Sequence, residues 1–456
     1  MNARQAGRRS VLGRLGWLVV LGLGLAPQTG CVTNPITGRQ QLSLMGKGDL
    51  ISLARQAVPS QFSSDYGVMQ DAQLQSYVTR VGRRLLATLK PEDVAYPDMP
   101  FTFQVVNAVY VNAYAFPDGT IAITRGMLAE LENEAQLAAV LGHEIAHVNC
   151  GHTAAAMSKG MVYDALVSGT QGYLASRGSS WADLAGTAGQ LGSAVVLARY
   201  SREQERQADQ GGMLYLVRAG YDPQGMVDLM RLLIRISGSN PSMIEQMFSS
   251  HPMSAERLET AEARLREEYA GRNAGVVNQA AFLAATAAVR KNRAALQHFA
   301  AAEALLAQKQ AAAAKTRAEQ GLRIAPNDYV GLMLVAQAER QSGQVGAAQQ
   351  TALRAARLYP AGSRAHGMLA QCALQKKEYA AAVAHLHAFE RQVPGEAQTS
   401  FFKGLAYEGM GHKPQAAQAY QAFVRRSGTQ SREAQYATQR LQHLTGRPQP
   451  TGRVTP

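Results

Sequence analysis

Cysteine is scarce in this chain: three residues in 456, at Cys31, Cys150 and Cys372. Cys150 and Cys372 fall in what read as different parts of the protein. No disulfide framework can therefore hold the fold, and stability has to come from buried apolar side chains. Cys150 reads as a small buried hydrophobe. Long apolar runs are missing too. In the Ala-, Gly- and Ser-rich stretch 153–200 the longest uncharged run, Leu184 to Ala198, has 15 residues. A spanning helix needs about 18 or more, so the stretch reads as a surface excursion. The first thirty residues contain no acid. Arg4, Arg8, Arg9 and Arg14 surround the start of an apolar segment, Leu15 to Ala26, and Thr29-Gly30-Cys31 follows. That is the build of a bacterial export signal ending in a lipobox, although Gln28 stands where such sites usually carry Leu. Residues 1–30 are read as a lipoprotein-type signal peptide and Cys31 as its lipidation site. Acid is sparse again at the far end. Residues 31–295 carry 23 Lys/Arg against 24 Asp/Glu, whereas 296–456 carry 19 against 9. A basic excess on an exported chain points to acidic protein partners or an anionic membrane surface, not to nucleic acid.

What remains is ordinary globular material, 46% hydrophobic and 17% charged, too long for one core. Asp49 to Leu89 has helical spacing, with Leu74, Tyr77, Val78 and Val81 on one face. Met99–Val106, Tyr110–Ala115 and Thr120–Thr124 read as strands, the last two joined through a Phe116-Pro117-Asp118-Gly119 turn. Glu132 to about Cys150 and about Ala194 to Arg218 read as helices. The last third repeats. Pro326, Pro360 and Pro394 are 34 residues apart, and Ala314, Ala348, Ala382 and Ala416 keep the same period, as do Ala336, Ala370 and Gly404. Thirty-four is the period of the tetratricopeptide repeat, a two-helix unit whose close helix approach demands small residues. About four units fit between Ala295 and Gln430, with a capping helix to about Leu444.

The chemistry is concentrated in Val140-Leu141-Gly142-His143-Glu144-Ile145-Ala146-His147-Val148. Two histidines four apart on a helix stack one turn above the other, so both imidazoles can reach one Zn²⁺. Glu144 lies near the same face, where it can take a proton from water. A third ligand is required. Glu205, with Asp209 one turn on, offers a carboxylate for the metal and another for a histidine's free ring nitrogen; a solvated charged helix explains the same spacing. His152, counted round a continuous helix, lies roughly 140° from His147 and reads as structural.

His-Glu-x-x-His followed on a later helix by Glu-x-x-Ala-Asp resembles the gluzincin metalloproteases of the HtpX and CAAX-prenyl-protease family. Cys31-Val32-Thr33-Asn34-Pro35-Ile36-Thr37-Gly38, Asn112-Ala113-Tyr114-Ala115 before Gly119, and the C-terminal repeats are similar to its periplasmic, BepA-like lipoprotein branch. The resemblance implies one zinc per chain on His143, His147 and Glu205, Glu144 as the catalytic base, and Asp209 supporting a ligand. It implies that Asn112, Ala113, Tyr114 and Ala115 form an edge strand to which unfolded substrate adds. His251, in Ser249-Ser250-His251-Pro252, aligns with a His-Pro segment that reaches the zinc as a fourth ligand or plug; a histidine bonded at a helix start and an oxyanion donor are the alternatives. The expected fold is α+β and mostly helical: a zincin-type metalloprotease domain with a small β-sheet over 31–294, an all-α tetratricopeptide solenoid over 295–444, and a disordered tail over 445–456. Because such repeats touch mainly their own neighbours, the two domains are expected to fold independently. The implied function is a zinc endopeptidase of the periplasm, anchored by lipid to the inner face of the outer membrane. It would act on unfolded or misfolded envelope proteins, with the repeats engaging outer-membrane assembly machinery or another acidic partner. The rival is a repeat-based assembly factor or chaperone with a largely latent zinc site.

Overall fold

The computed structural model describes residues 30–159, 199–272, 275–429 and 431–446. The expectations for the signal peptide, for most of the 153–200 excursion and for nearly all of the tail fall outside these residues. A short antiparallel hairpin, β1 (Cys31–Thr33) and β2 (Gln40–Leu42), comes first. The helical stretch 49–89 is two helices, α1 (Lys47–Ser64) and α2 (Ala72–Leu86). The break falls at Tyr66 and Gly67, both with positive φ, and α2 restarts at Asp71, whose carboxylate accepts the Leu74 N–H. Its apolar face, Leu74, Tyr77, Val78, Val81 and Leu85, is buried.

Three strands follow: β3 (Thr102–Val106), β4 (Ala113–Ala115) and β5 (Thr120–Thr124). The β4–β5 hairpin is antiparallel as expected, its turn closed by Asp118 Oδ1 accepting from Thr120 N–H. β3 pairs parallel with β5, so the order is β3-β5-β4 and β4 holds an edge. Beyond α3 (Arg125–Glu130) comes α4 (Glu134–Asn149), every residue of which is buried. A helix buried on every face lies at the centre of a domain, and its polar residues, His143, Glu144 and His147 among them, need partners there. It is packed by α5 (Arg202–Arg218) and α6 (Gln224–Ser239); α7 (Glu245–Ser250), α8 (Ala255–Glu267) and two short helices, Gln279–Ala285 and Ala287–Lys291, follow. Among the described residues no helix is long and apolar enough to cross a membrane.

The last third is four helix pairs and a cap: α9 (Arg293–Ala307) with α10 (Ala311–Ile324), α11 (Tyr329–Gln341) with α12 (Val345–Leu358), α13 (Ser363–Gln375) with α14 (Tyr379–Gln392), α15 (Ala397–Gly409) with α16 (Lys413–Ser427), then α17 (Arg432–Thr445). The in-phase alanines 314, 348, 382 and 416 are fully buried, and Gly404 lies against the Tyr420 ring. The period therefore reports real helix contacts.

The two parts do not stand apart. One hydrophobic core runs from Tyr66 through α4 to Phe299, Tyr329 and Cys372. Arg125, at the start of α3, makes two hydrogen bonds of 2.6 and 3.0 Å to Asp328, which also caps α11. Both side chains are nearly buried, and deleting one partner of such a pair costs about 3–5 kcal/mol. The boundary at 294 also falls inside α9, which begins at Arg293. The two parts therefore share a core, where independent folding was expected.

Candidate metal centre

α4 and α5 cross where glycines permit it: a β-carbon on Gly212 would lie 3.1 Å from the His143 amide nitrogen. That approach carries Glu205 to the two histidines. His143 Nε2 and His147 Nε2 are 3.0 Å apart, His147 Nε2 is 3.4 Å from Glu205 Oε1, and His143 Nε2 is 3.6 Å from Glu205 Oε2. From α7's C-terminal end, His251 Nδ1 reaches within 3.1 Å of Glu205 Oε1 and 3.4 Å of His143 Nε2. All four side chains are buried. Four donors around one ion at zinc–nitrogen and zinc–oxygen distances are separated by about 3.3–3.4 Å. The residues fit a metal ion.

The remaining ring nitrogens are engaged. His143 Nδ1 faces Asp209 Oδ1 at 3.0 Å, and His147 Nδ1 faces His152 Nδ1 at 2.9 Å. His152 is therefore not on the far side of a continuous helix. α4 ends at Asn149, Gly151 takes φ 63°, and the restarted chain turns His152 back onto His147. Burial pulls His152 down to about 4 and drives His147 well below its usual range, the nearby Glu205 carboxylate opposing the shift, which favours neutral rings. A neutral imidazole is the form that binds a metal.

Glu144 sits beside the cluster, its Oε1 3.8 Å from His251 Nε2 and its buried Oε2 without a hydrogen-bond partner among the described residues. Burial raises its pKa, partly offset by His251 and His143. Next to it is a cavity of about 20 Å³, walled by Leu229, Leu233, Met247, Phe248 and His251, room for roughly one water. Two contributors had no sequence signal. Arg257, on α8, makes hydrogen bonds of 2.8 and 2.7 Å to Asp209 and an ion pair at 2.6 Å with Glu205 Oε2. Burial raises the Asp209 pKa, but Arg257 and His143 outweigh it and hold it low. Tyr200 stacks on His147 with ring centroids 3.8 Å apart, its hydroxyl 3.2 Å from Thr153 Oγ1. Neither residue stands at a spacing that ties it to the motif; only the packing does.

Of the expected edge strand, Ala113 to Ala115 form β4, and Asn112 precedes it with Oδ1 buried and unpartnered among the described residues. All four residues are buried, and the Tyr114 hydroxyl donates to Asp65 at the end of α1. Cys31 is exposed and Cys150 buried, 109 residues from Gln41, whose side-chain amide bonds the Cys150 carbonyl.

Residues 72–265 match the model of peptidase family M48. The beta-barrel assembly-enhancing protease of Yersinia pestis is 31% identical over 203 residues, 44% of this chain and 40% of that protein. The metalloprotease YcaL of Escherichia coli is 28% identical over 193 residues, 42% of this chain and 73% of its own. This chain thus spans about two fifths of the length of the first relative. A solved tetratricopeptide protein, YrrB, is similar over 45% of this chain and 97% of its own at 15% identity and TM-score 0.30, too loose a likeness to carry an argument. Every member of the buried centre, from His143 to Arg257, lies inside the span that is similar to peptidase family M48.

Proposed function

We propose that the protein is a zinc-dependent endopeptidase of the bacterial periplasm that hydrolyses unfolded or misassembled envelope proteins. The carrying observation is the set of four buried donor groups within 4.8 Å of one another, with the Glu144 carboxylate beside them and its Oε2 unpartnered among the described residues. His143, His147 and Glu205 would hold the zinc, which when bound supplies Lewis acidity toward a water and the scissile carbonyl. Glu144, raised by burial, accepts the proton of the attacking water and returns it to the leaving amine. Asp209 and Arg257 hold His143 and Glu205 in place.

His251 is a fourth donor at the cluster, and Met247 and Phe248 of α7 wall the adjoining cavity. This supports a resting state plugged by His251, released when α7 moves. An extended substrate would then pair along Asn112 and β4, Ala113 to Ala115, whose place at the sheet edge leaves one side without a strand partner among the described residues. Cys31, exposed at the start of β1, fits lipid anchoring to the inner face of the outer membrane. The basic repeats fit an acidic partner such as outer-membrane assembly machinery, and the Yersinia relative is named for β-barrel assembly. The test is cleavage of an unfolded protein by purified zinc-loaded chain beside Glu144→Gln. The variant is expected to keep about one zinc and lose cleavage by about 10²-fold or more. A wild-type chain that binds zinc but cleaves nothing, with Glu144→Gln equal to it in supporting the cell envelope, would instead favour the assembly-factor reading.

A further inference from the structure

The N-terminal hairpin lies against the back of the metal centre, and its contacts form a chain with one direction. Asn34, in the β1–β2 turn, is 3% exposed. Its Oδ1 accepts from the Ile36 and Thr37 amides at 3.0 and 3.1 Å, which fixes the side-chain amide so that Nδ2 donates to Gln207 Oε1 at 2.8 Å. Gln207 is itself oriented, because its Nε2 donates to the Glu203 carboxylate at 3.0 Å. Gln207 Oε1 therefore can only accept, and the proton on the 3.0 Å contact to His152 belongs to His152 Nε2. With Nε2 of His147 turned to the metal position its ring proton lies on Nδ1, and at 2.9 Å His152 Nδ1 is the acceptor, as its own proton on Nε2 toward Gln207 allows. Packing seats the hairpin in the same place. A β-carbon on Gly211 would meet Ile36 Cδ1 at 3.4 Å, and Gln41 reaches back to the Cys150 carbonyl.

We propose that Asn34, Gln207 and His152 form a hydrogen-bonded relay that fixes the ring of His147 for metal binding, so that seating of the N-terminal hairpin, which begins at Cys31, sets the metal affinity of the centre. Asp209 performs this service for His143 from the opposite side; the relay performs it for His147 from a segment more than a hundred residues away and outside the span 72–265. These are positioning residues, and their role rests on the reading that His147 holds a metal.

The experiment measures zinc affinity of the purified full chain by competition with a chromophoric chelator, and melting of each metal-free protein. The set is wild type, His152→Ala, Asn34→Ala, their double mutant, and Asn34→Asp, which keeps both backbone contacts but loses the donor. His152→Ala is expected to weaken zinc binding by about 10–100-fold, and Asn34→Ala and Asn34→Asp by a smaller factor. The double mutant should be no weaker than His152→Ala alone, because Asn34 acts through His152. If His152→Ala does not fold, Gln207→Leu enters the same cycle in its place. Variants that bind zinc as tightly as wild type, or an Asn34 effect fully additive to that of His152→Ala, would overturn the relay alone. A wild-type chain without zinc affinity would overturn the metal reading and the relay with it.

Discussion

Arg257 supplies the buried positive charge against which two of the three carboxylates at the centre are set. It makes two hydrogen bonds to Asp209, an ion pair to Glu205 and a bond to the Pro252 carbonyl, and is 7% exposed. Replacing it by methionine keeps much of the volume and removes the charge. In metal-free protein both carboxylates then lose their buried partner, at a cost of about 3–5 kcal/mol. At an unfolding entropy of about 2.1 cal/mol/K per residue, the 456-residue chain loses about 3–5 °C in melting temperature. Zinc changes the account, because Glu205 regains a positive partner and Asp209 keeps its contact with His143. About half the loss should return in saturating zinc. The assay is calorimetric melting of wild type and Arg257→Met, each with chelator and with zinc. The zinc-induced rise in melting temperature should be larger in the variant. An equal or smaller rise would refute the claim that Arg257 and the metal neutralise the same carboxylate, and an unshifted metal-free protein would refute the buried pair itself.

His251→Ala is expected to cleave an unfolded substrate faster and with less discrimination than wild type, measured by initial rates on denatured protein; a fall of about 10²-fold in turnover would make His251 an oxyanion donor instead, and no change would leave it merely structural. A chain ending at residue 292 is expected to bind a hydrophobic dye and to melt at lower temperature, because α3, Arg125 and Tyr66 lose the cover of the repeats; a truncated protein with the wild-type melting temperature and bound zinc would show that the shared core contributes little.

Local pattern was enough for much of this protein. His143, Glu144 and His147 are one turn of one helix, and the 3.6-residue period alone puts them together. The 34-residue spacing is likewise a local rule repeated, and the buried alanines at 314, 348, 382 and 416 answer to it. The β4–β5 hairpin was legible because its turn is made by the residues within it. Contacts between distant segments were not legible. The parallel pairing of β3 with β5 depends on how α2 and α4 stack on the sheet. His152 looked remote because helical counting assumes an unbroken helix, and Gly151 breaks it. Arg257, Tyr200 and the Asn34–Gln207 contact carry no spacing that links them to the motif, since side chains 50 or 170 residues apart meet only after the helices cross. The sequence by itself determined which elements form and which side chains could bind a metal. Tertiary structure decided which nitrogens stay free for it, which charges are neutralised, and that the repeats share the core, because each of these depends on packing between elements that sequence order leaves unspecified.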